Sequence, residues 1–408
     1  MSVPALAFVA LDAKCNTAWD ADLLQDLGLE DAVTLRLAIE ASATSSCREI
    51  LRGMVLHPES PREKARRRER AERVRALLRT DDADGGGGGG GGGGCDPPKS
   101  PSASVRLAEQ DDMLELISRV AANLHRVLDD ATASRSTGVG IFPAACLLNH
   151  SCAPTCSFSF AAEGRLLHVR ALCDIEVGEE VTYSYLNEEQ LYASWEERSA
   201  LLTAAHRFEA VEPSARREAE RQTNVASGGA GREGDVERRA LIERLKRQVH
   251  DEVSRAQRAI TSTSPAALDA AAGRLEELIE RALQPALHPF HVLAQEAHAA
   301  LLGVARVLDH PPLVARAALH LIAAREFMLP RGTPHLASLY AAHAGAVLRL
   351  LREGEIGKAE RAQAAQAAAA SMRAALRIRS SCLGKEHPLT KSTAGALERA
   401  NALATRSH

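Results

Sequence analysis

Two short stretches decide the reading of this chain: Leu147-Leu148-Asn149-His150-Ser151-Cys152-Ala153-Pro154-Thr155-Cys156 and Asp174-Ile175-Glu176-Val177-Gly178-Glu179-Glu180-Val181-Thr182-Tyr183-Ser184-Tyr185. Gly138-Val-Gly-Ile-Phe-Pro143 precedes them. Between them, residues 156–160 and 166–172 alternate like strands about a turn at 162–165, and residues 179–186 read as a last strand. Taken singly, Asn-His-Ser is a common triplet and a strand tyrosine is ordinarily buried packing. The information lies in their conjunction across a strand pair.

Working outward, residues 105–130 carry apolar side chains at helical spacing through Met113, Leu116, Ile117, Val120, Leu124, Val127 and Leu128. Before them, ten consecutive glycines, Gly85 to Gly94, cannot repay the entropy of ordering, so residues 81–104 read as a flexible insertion. No Lys-Ser/Thr closes that run, so it is no phosphate loop. Residues 1–80 read as mostly helical after a first strand at 6–11. Nine Lys/Arg against three Glu between Arg62 and Arg79 read as a solvated helix with mixed-sign pairs rather than a nucleic-acid patch.

Downstream, residues 211–238 are polar and read as a linker, and 239–408 as an all-α repeat domain. Its helices are predicted at 239–260, 266–283, 287–308, 312–328, 334–352, 356–382 and 388–405, with breaks at Pro265, Pro285, Pro311-Pro312, Pro330, Gly354 and Gly384. Helix pairs at this spacing predict a tetratricopeptide-like stack, with Leu351-x-x-Gly354-x-x-x-x-Ala359 as a local signature.

Composition bounds the function. A formal net charge of −3 excludes a generic polyanion binder, so nucleic acid is not the expected partner. Aromatic residues make up only 3% of the 408, which favours packed helices over a large β-sandwich. The eight cysteines, at 15, 47, 95, 146, 152, 156, 173 and 382, form no dense framework and no Cys-x-x-Cys, and read as reduced thiols of an intracellular chain, cytoplasmic or nuclear. No long apolar run points to a membrane.

The combined pattern, Gly-Val-Gly-Ile-Phe-Pro, Leu-Leu-Asn-His-Ser-Cys, Pro-x-Cys and Asp-Ile-x-x-Gly-Glu-Glu-Val-Thr-x-x-Tyr, resembles SET domains of the SMYD (SET and MYND) type. The resemblance covers 105–210 closely and 240–405 more loosely, through Leu-Gly-Lys-Glu-His-Pro at 383–388. It implies an α+β fold: a SET core of small β-sheets with a pseudo-knot at 105–210, followed by helices. It also implies S-adenosyl-L-methionine as cofactor and a protein substrate with a target lysine, with a further protein partner on the C-terminal helices.

By the same resemblance, Tyr185 is the catalytic residue and also borders the cofactor. Asn123, Leu148, Asn149, His150 and Phe208 bind the cofactor. His125, Tyr183 and His206 line the substrate channel, Tyr183 being read as packing on the strand's other face. His125 and His206 stand where family members often carry Phe or Tyr, so that wall should be wetter and titrate near neutral pH. Three features depart from the family. The N-terminal SET piece with its Gly-x-Gly loop and the MYND finger are not evident. The post-SET cysteine cluster is also replaced, leaving Cys152 alone, so no zinc is expected; Cys152 and Cys156 read as small buried hydrophobes. Two functions follow: a protein-lysine N-methyltransferase, or an impaired SET remnant serving as a helical-repeat interaction scaffold.

Overall fold

A computed structural model describes residues 2–4, 7–10, 65–66, 68–69, 71–72, 110–129, 136–161, 164–209, 211, 214–223, 232–329, 332–357 and 359–406. The glycine run and most of residues 11–109 lie outside the described residues, and with them most of the helical reading of 1–80. Where that region is described, at 65–72, the residues are helical, with Ala71 buried and its described neighbours exposed.

The chain divides into two compact units, each considered by itself. The first comprises residues 1–149, 158–169 and 201–209. Its strands are β1 (Ser2–Pro4), β2 (Ala7–Ala10), β3 (His125–Leu128), β4 (Ser136–Ile141), most of β6 (Cys156–Ala161) and most of β7 (Leu166–Ala171). They form two three-stranded sheets, ordered β1-β7-β6 and β2-β4-β3. Strand β4 pairs antiparallel with both neighbours, Ala7 opposite Ile141 and His125 opposite Gly140. The first strand anticipated at 6–11 is therefore β2.

Helix α1 (Gln110–Asn123) stops sooner than its apolar spacing predicts, because 125–128 leave it to become β3. Leu124, Val127 and Leu128 satisfy helical and strand periods equally over so short a run, and pairing with β4 decides the outcome. Phe142 and Ile141, both fully buried, anchor this unit's core with Ile117 and Leu167.

The second unit holds residues 150–157, 170–200 and 210–408. Strand β5 (Asn149–His150), which enters it, pairs with β8 (Thr182–Tyr183). The strand predicted over 179–186 is thus only two residues long; Gly178, at φ +91°, turns the chain just before it and leaves 179–181 exposed. Then come α2 (Glu188–Leu191), α3 (Trp195–His206), whose residues from 201 on belong to the first unit, and α4 (Ser214–Thr223), the last inside the stretch read as a linker.

The C-terminal region is helical throughout: α5 (Arg232–Ser262), α6 (Pro265–Leu278), α7 (Val292–Val307), α8 (Pro311–Met328), α9 (Pro334–Glu353), α10 (Arg361–Cys382) and α11 (Pro388–Arg406). Pro265, Pro311, Pro334 and Pro388 each open a helix, where the missing N–H costs nothing. Pro285 breaks none: a π-turn at Ile279–Leu283 carries the chain on into Gln284–Ala286. His291, His310 and Thr333 cap α7, α8 and α9 by accepting backbone N–H groups. Much of the core between these helices is alanine: Ala297, Ala305, Ala317, Ala318, Ala324, Ala337, Ala344, Ala365, Ala368 and Ala375 are all fully buried. Successive helices from α7 to α11 pack against one another.

Candidate functional site

Asn149 and His150 continue directly from Leu148, which is half-buried and extended at φ −87°, ψ 129°. Pairing of β5 with β8 is extended by the Ser151 N–H, which donates to the Tyr183 carbonyl at 3.0 Å. Two threonines lock the same junction from inside. The Thr182 N–H donates to Thr155 Oγ1 at 2.9 Å, the Thr155 N–H to Thr182 Oγ1 at 3.3 Å, and both residues are buried. Such reciprocal bonds leave no orphaned backbone donor where two short strands meet. The sequence reading missed this pair, although both threonines stand within the decisive stretches.

This junction delivers His150 to Tyr185. The Tyr185 N–H donates to His150 Nδ1 at 3.0 Å, and the two rings lie 5.5 Å apart. Because Nδ1 accepts, the neutral imidazole carries its proton on Nε2, which lies 3.3 Å from Cys152 Sγ. Both ring nitrogens are thus committed inside the protein, and any ligand contact by His150 falls to its backbone. Cys152 and Cys156 are 1% and 4% exposed, as small buried residues. Tyr183 is buried and Tyr185 half-buried, with ring centroids 5.1 Å apart. The two rings are neighbours, with Tyr185 in the bend that follows β8 rather than in the strand itself.

The remaining named residues lie in the first unit. Asn123 is buried at the end of α1, its Nδ2 donating to the Arg119 carbonyl at 2.7 Å. Its own carbonyl receives His125 Nδ1 at 3.0 Å and the Cys146 thiol at 3.6 Å. His125 is neither wet nor poised near neutrality. It is 9% exposed, packs edge-on to Phe142 at 5.5 Å, and burial pulls its pKa down to about 4 against the carbonyl's opposing pull. It behaves as the flat neutral ring that a Phe would supply. The Cys146 thiol is pushed up to about 11 by burial and is unreactive as a nucleophile.

His206 ends α3, and Arg207 turns the chain at φ 60°, uncommon for a non-glycine residue, placing half-buried Phe208 6.4 Å from the His206 ring. Among the described residues no group of three or more His, Cys, Asp or Glu is placed to hold a metal ion.

Residues 46–186 match the SET domain family. The chain carries a SET domain. Its relatives include the human histone-lysine N-methyltransferase SMYD3, 41% identical over 90 residues, 22% of this chain and 20% of that protein. The human protein-lysine N-trimethyltransferase SMYD5 is 39% identical over 90 residues, again 22% of this chain and 21% of that protein. The Arabidopsis thaliana histone-lysine N-methyltransferase ASHR1 is 33% identical over 75 residues, 18% of this chain and 15% of that protein. The chain thus spans about a fifth of the length of the curated SMYD relatives it matches. The SET match runs through Tyr185, so the Asn149-His150 strand and its tyrosine partner both belong to it.

Of the residues expected to hold a cofactor, Leu148 and Phe208 are half-buried apolar side chains and Asn149 is an exposed amide. Among the described residues no helix is long and apolar enough to cross a membrane.

Proposed function

We propose that this chain is an S-adenosylmethionine-dependent protein-lysine N-methyltransferase of SMYD-like type. The observation that carries the proposal is the β5–β8 junction, where His150 fixes the Tyr185 backbone at 3.0 Å within a matched SET domain. Bound S-adenosylmethionine supplies an electrophilic sulfonium methyl group. Asn123, Leu148, Asn149 and Phe208 are assigned to hold it, with the His150 backbone.

A lysine ammonium, with an ordinary pKa of about 10.4, must lose its proton before its lone pair can attack in line. Desolvation in an apolar channel lowers that pKa, so no strong base is required. His125, held neutral by burial, adds no positive charge that would repel the incoming ammonium, and Tyr183 and His206 complete the channel assignment. The Tyr185 hydroxyl accepts from or donates to the amine and fixes its approach, a role its backbone anchoring supports.

Calorimetry with S-adenosylmethionine tests the cofactor assignment, and absence of binding at millimolar concentration would overturn it. Tyr185→Phe should abolish transfer of labelled methyl groups to protein lysines while leaving cofactor affinity within a few-fold; equal loss of binding would remove Tyr185 from its catalytic role. If cofactor does not bind, the helical-repeat scaffold becomes the better account.

A further inference from the structure

Tyr185, the residue assigned to orient the amine, stands outside any strand. The ladder between β5 and β8 is two residues long on each side, and Tyr185 lies in the bend beyond its end. So short a ladder specifies its register weakly, because few bonds are lost when one strand slides past the other. The bond that fixes the Tyr185 backbone, from its N–H to His150 Nδ1 at 3.0 Å, survives only while that register holds.

The register is held from the other edge of β8, since alternate residues of a strand direct their backbone groups to opposite edges. The Tyr183 carbonyl receives the Ser151 N–H on the β5 side. After Ser151, whose Oγ accepts the Ala153 N–H at 3.1 Å, the chain bends and meets β8 again at Thr155. Thr155 Oγ1 accepts the Thr182 N–H at 2.9 Å, and its O–H reaches the carbonyls of Thr182 at 3.3 Å and Glu180 at 3.4 Å. In return Thr182 Oγ1 accepts the Thr155 N–H at 3.3 Å. The Thr155 carbonyl is taken by the Leu172 N–H at 2.8 Å, so the residue gripping β8 is itself tied to a third segment. At 4% and 7% exposure, the two threonines are closed to water that would otherwise replace a lost hydroxyl.

We propose, on the strength of the methyltransferase reading above, that Thr155 and Thr182 are positioning residues for methyl transfer. Acting as one lock, they hold β8 in the register that sets the Tyr185 backbone on His150. Neither touches the reacting atoms in this assignment; each acts through Tyr185.

The full chain has four tyrosines, so isotope-labelled tyrosine gives four backbone amide signals, with Tyr192 and Tyr340 as internal controls. Thr155→Val keeps the side chain's bulk and removes its oxygen. Amide exchange at Tyr185 should then quicken about tenfold, while Tyr192 and Tyr340 keep their rates. Apparent kcat with a library of lysine-containing peptides should fall about tenfold, with S-adenosylmethionine affinity within a few-fold. Thr155→Ser restores the hydroxyl and should recover most of both. The double variant with Thr182→Val should be little worse than the more damaged single, because two halves of one lock are lost only once. Should Thr155→Val fail to fold, Thr182→Val, which removes the longer bond, carries the same measurements. Unchanged Tyr185 exchange in the valine variants would overturn the lock. So would equal acceleration at Tyr192 and Tyr340, which is general loosening, or losses that multiply in the double variant. If the wild type binds no S-adenosylmethionine, the methyltransferase reading falls, and Tyr185 exchange still decides whether the threonines set that residue.

Discussion

The Arg198–Glu220 pair offers a measurable test of how α4 is held. Arg198 has a side-chain exposure of 0% and Glu220 of 10%, with Nη2 and Oε2 2.9 Å apart. The other carboxylate oxygen receives the Trp195 N–H at 2.6 Å, and the arginine also donates to the Ala193 carbonyl. Arg198→Met would leave the largely buried Glu220 carboxylate without its guanidinium, while the Trp195 N–H still donates to it. Breaking a buried pair from one side costs about 3–5 kcal/mol, against roughly 5–15 kcal/mol for a whole domain. Glu220→Leu should cost a similar amount, since it strands the guanidinium. The double variant, with both charges gone and comparable volume retained, should recover most of the loss, giving a coupling energy above about 2 kcal/mol. Urea unfolding of the four proteins, followed by helical circular dichroism, supplies the cycle. Single variants each costing less than about 1 kcal/mol, with additive effects, would show that the pair is solvated and does not hold α4.

Acid should destabilise the chain in a defined window. Burial lowers His125 and His291 to about 4 and His298 to about 3, so each is neutral when folded while the unfolded chain takes up a proton below about 6.5. Stability is therefore full above about pH 6.5 and falls as pH drops toward 4, by up to roughly 3 kcal/mol per histidine. His125→Phe should flatten part of that slope in pH-dependent denaturation; an unchanged slope would show that His125 is charged when folded. His150→Phe keeps a ring against Tyr185 but removes the acceptor of its N–H, and methyl transfer should fall about tenfold or more with cofactor affinity little changed. Gly384→Ala adds a Cβ 2.9 Å from the Arg170 guanidinium at a backbone φ of +93°, and should lower the thermal midpoint by several degrees; no shift would mean that the α10–α11 turn is looser than it stands.

The helices were legible because their signals are local. Prolines mark the first residue of four of them, and apolar side chains recur along one face over many turns. The motif strands were legible for another reason: the Asn-His-Ser and Gly-Glu-Glu stretches carry the identity of a SET domain in their order. What the sequence concealed depends on partners far along the chain. Residues 125–128 look helical until β4 claims them. Residues 211–238 look like a linker because Ser214–Thr223 is polar on most faces, and what ties it down, Glu220 to Arg198 and buried Thr223 against Met328, lies far along the chain. The environment of His125 was misread because residue type alone does not report burial. The burial of Arg325 was invisible for the same reason: an arginine in the last turn of a helix normally reaches solvent.

The alanine-rich core of the C-terminal helices gives the protein an unusual profile of tolerance to mutation. In a core built on leucine, the common injury is truncation, which opens a hole. Ala317, Ala318, Ala365, Ala368 and Ala375 are already almost as small as side chains can be, and all are fully buried. The damaging change at these positions is therefore growth, since an added methyl group has no space and forces neighbouring backbones apart. Drift in this half of the chain should thus be policed by an upper limit on side-chain size, so that alanine and serine exchange there while valine is purged.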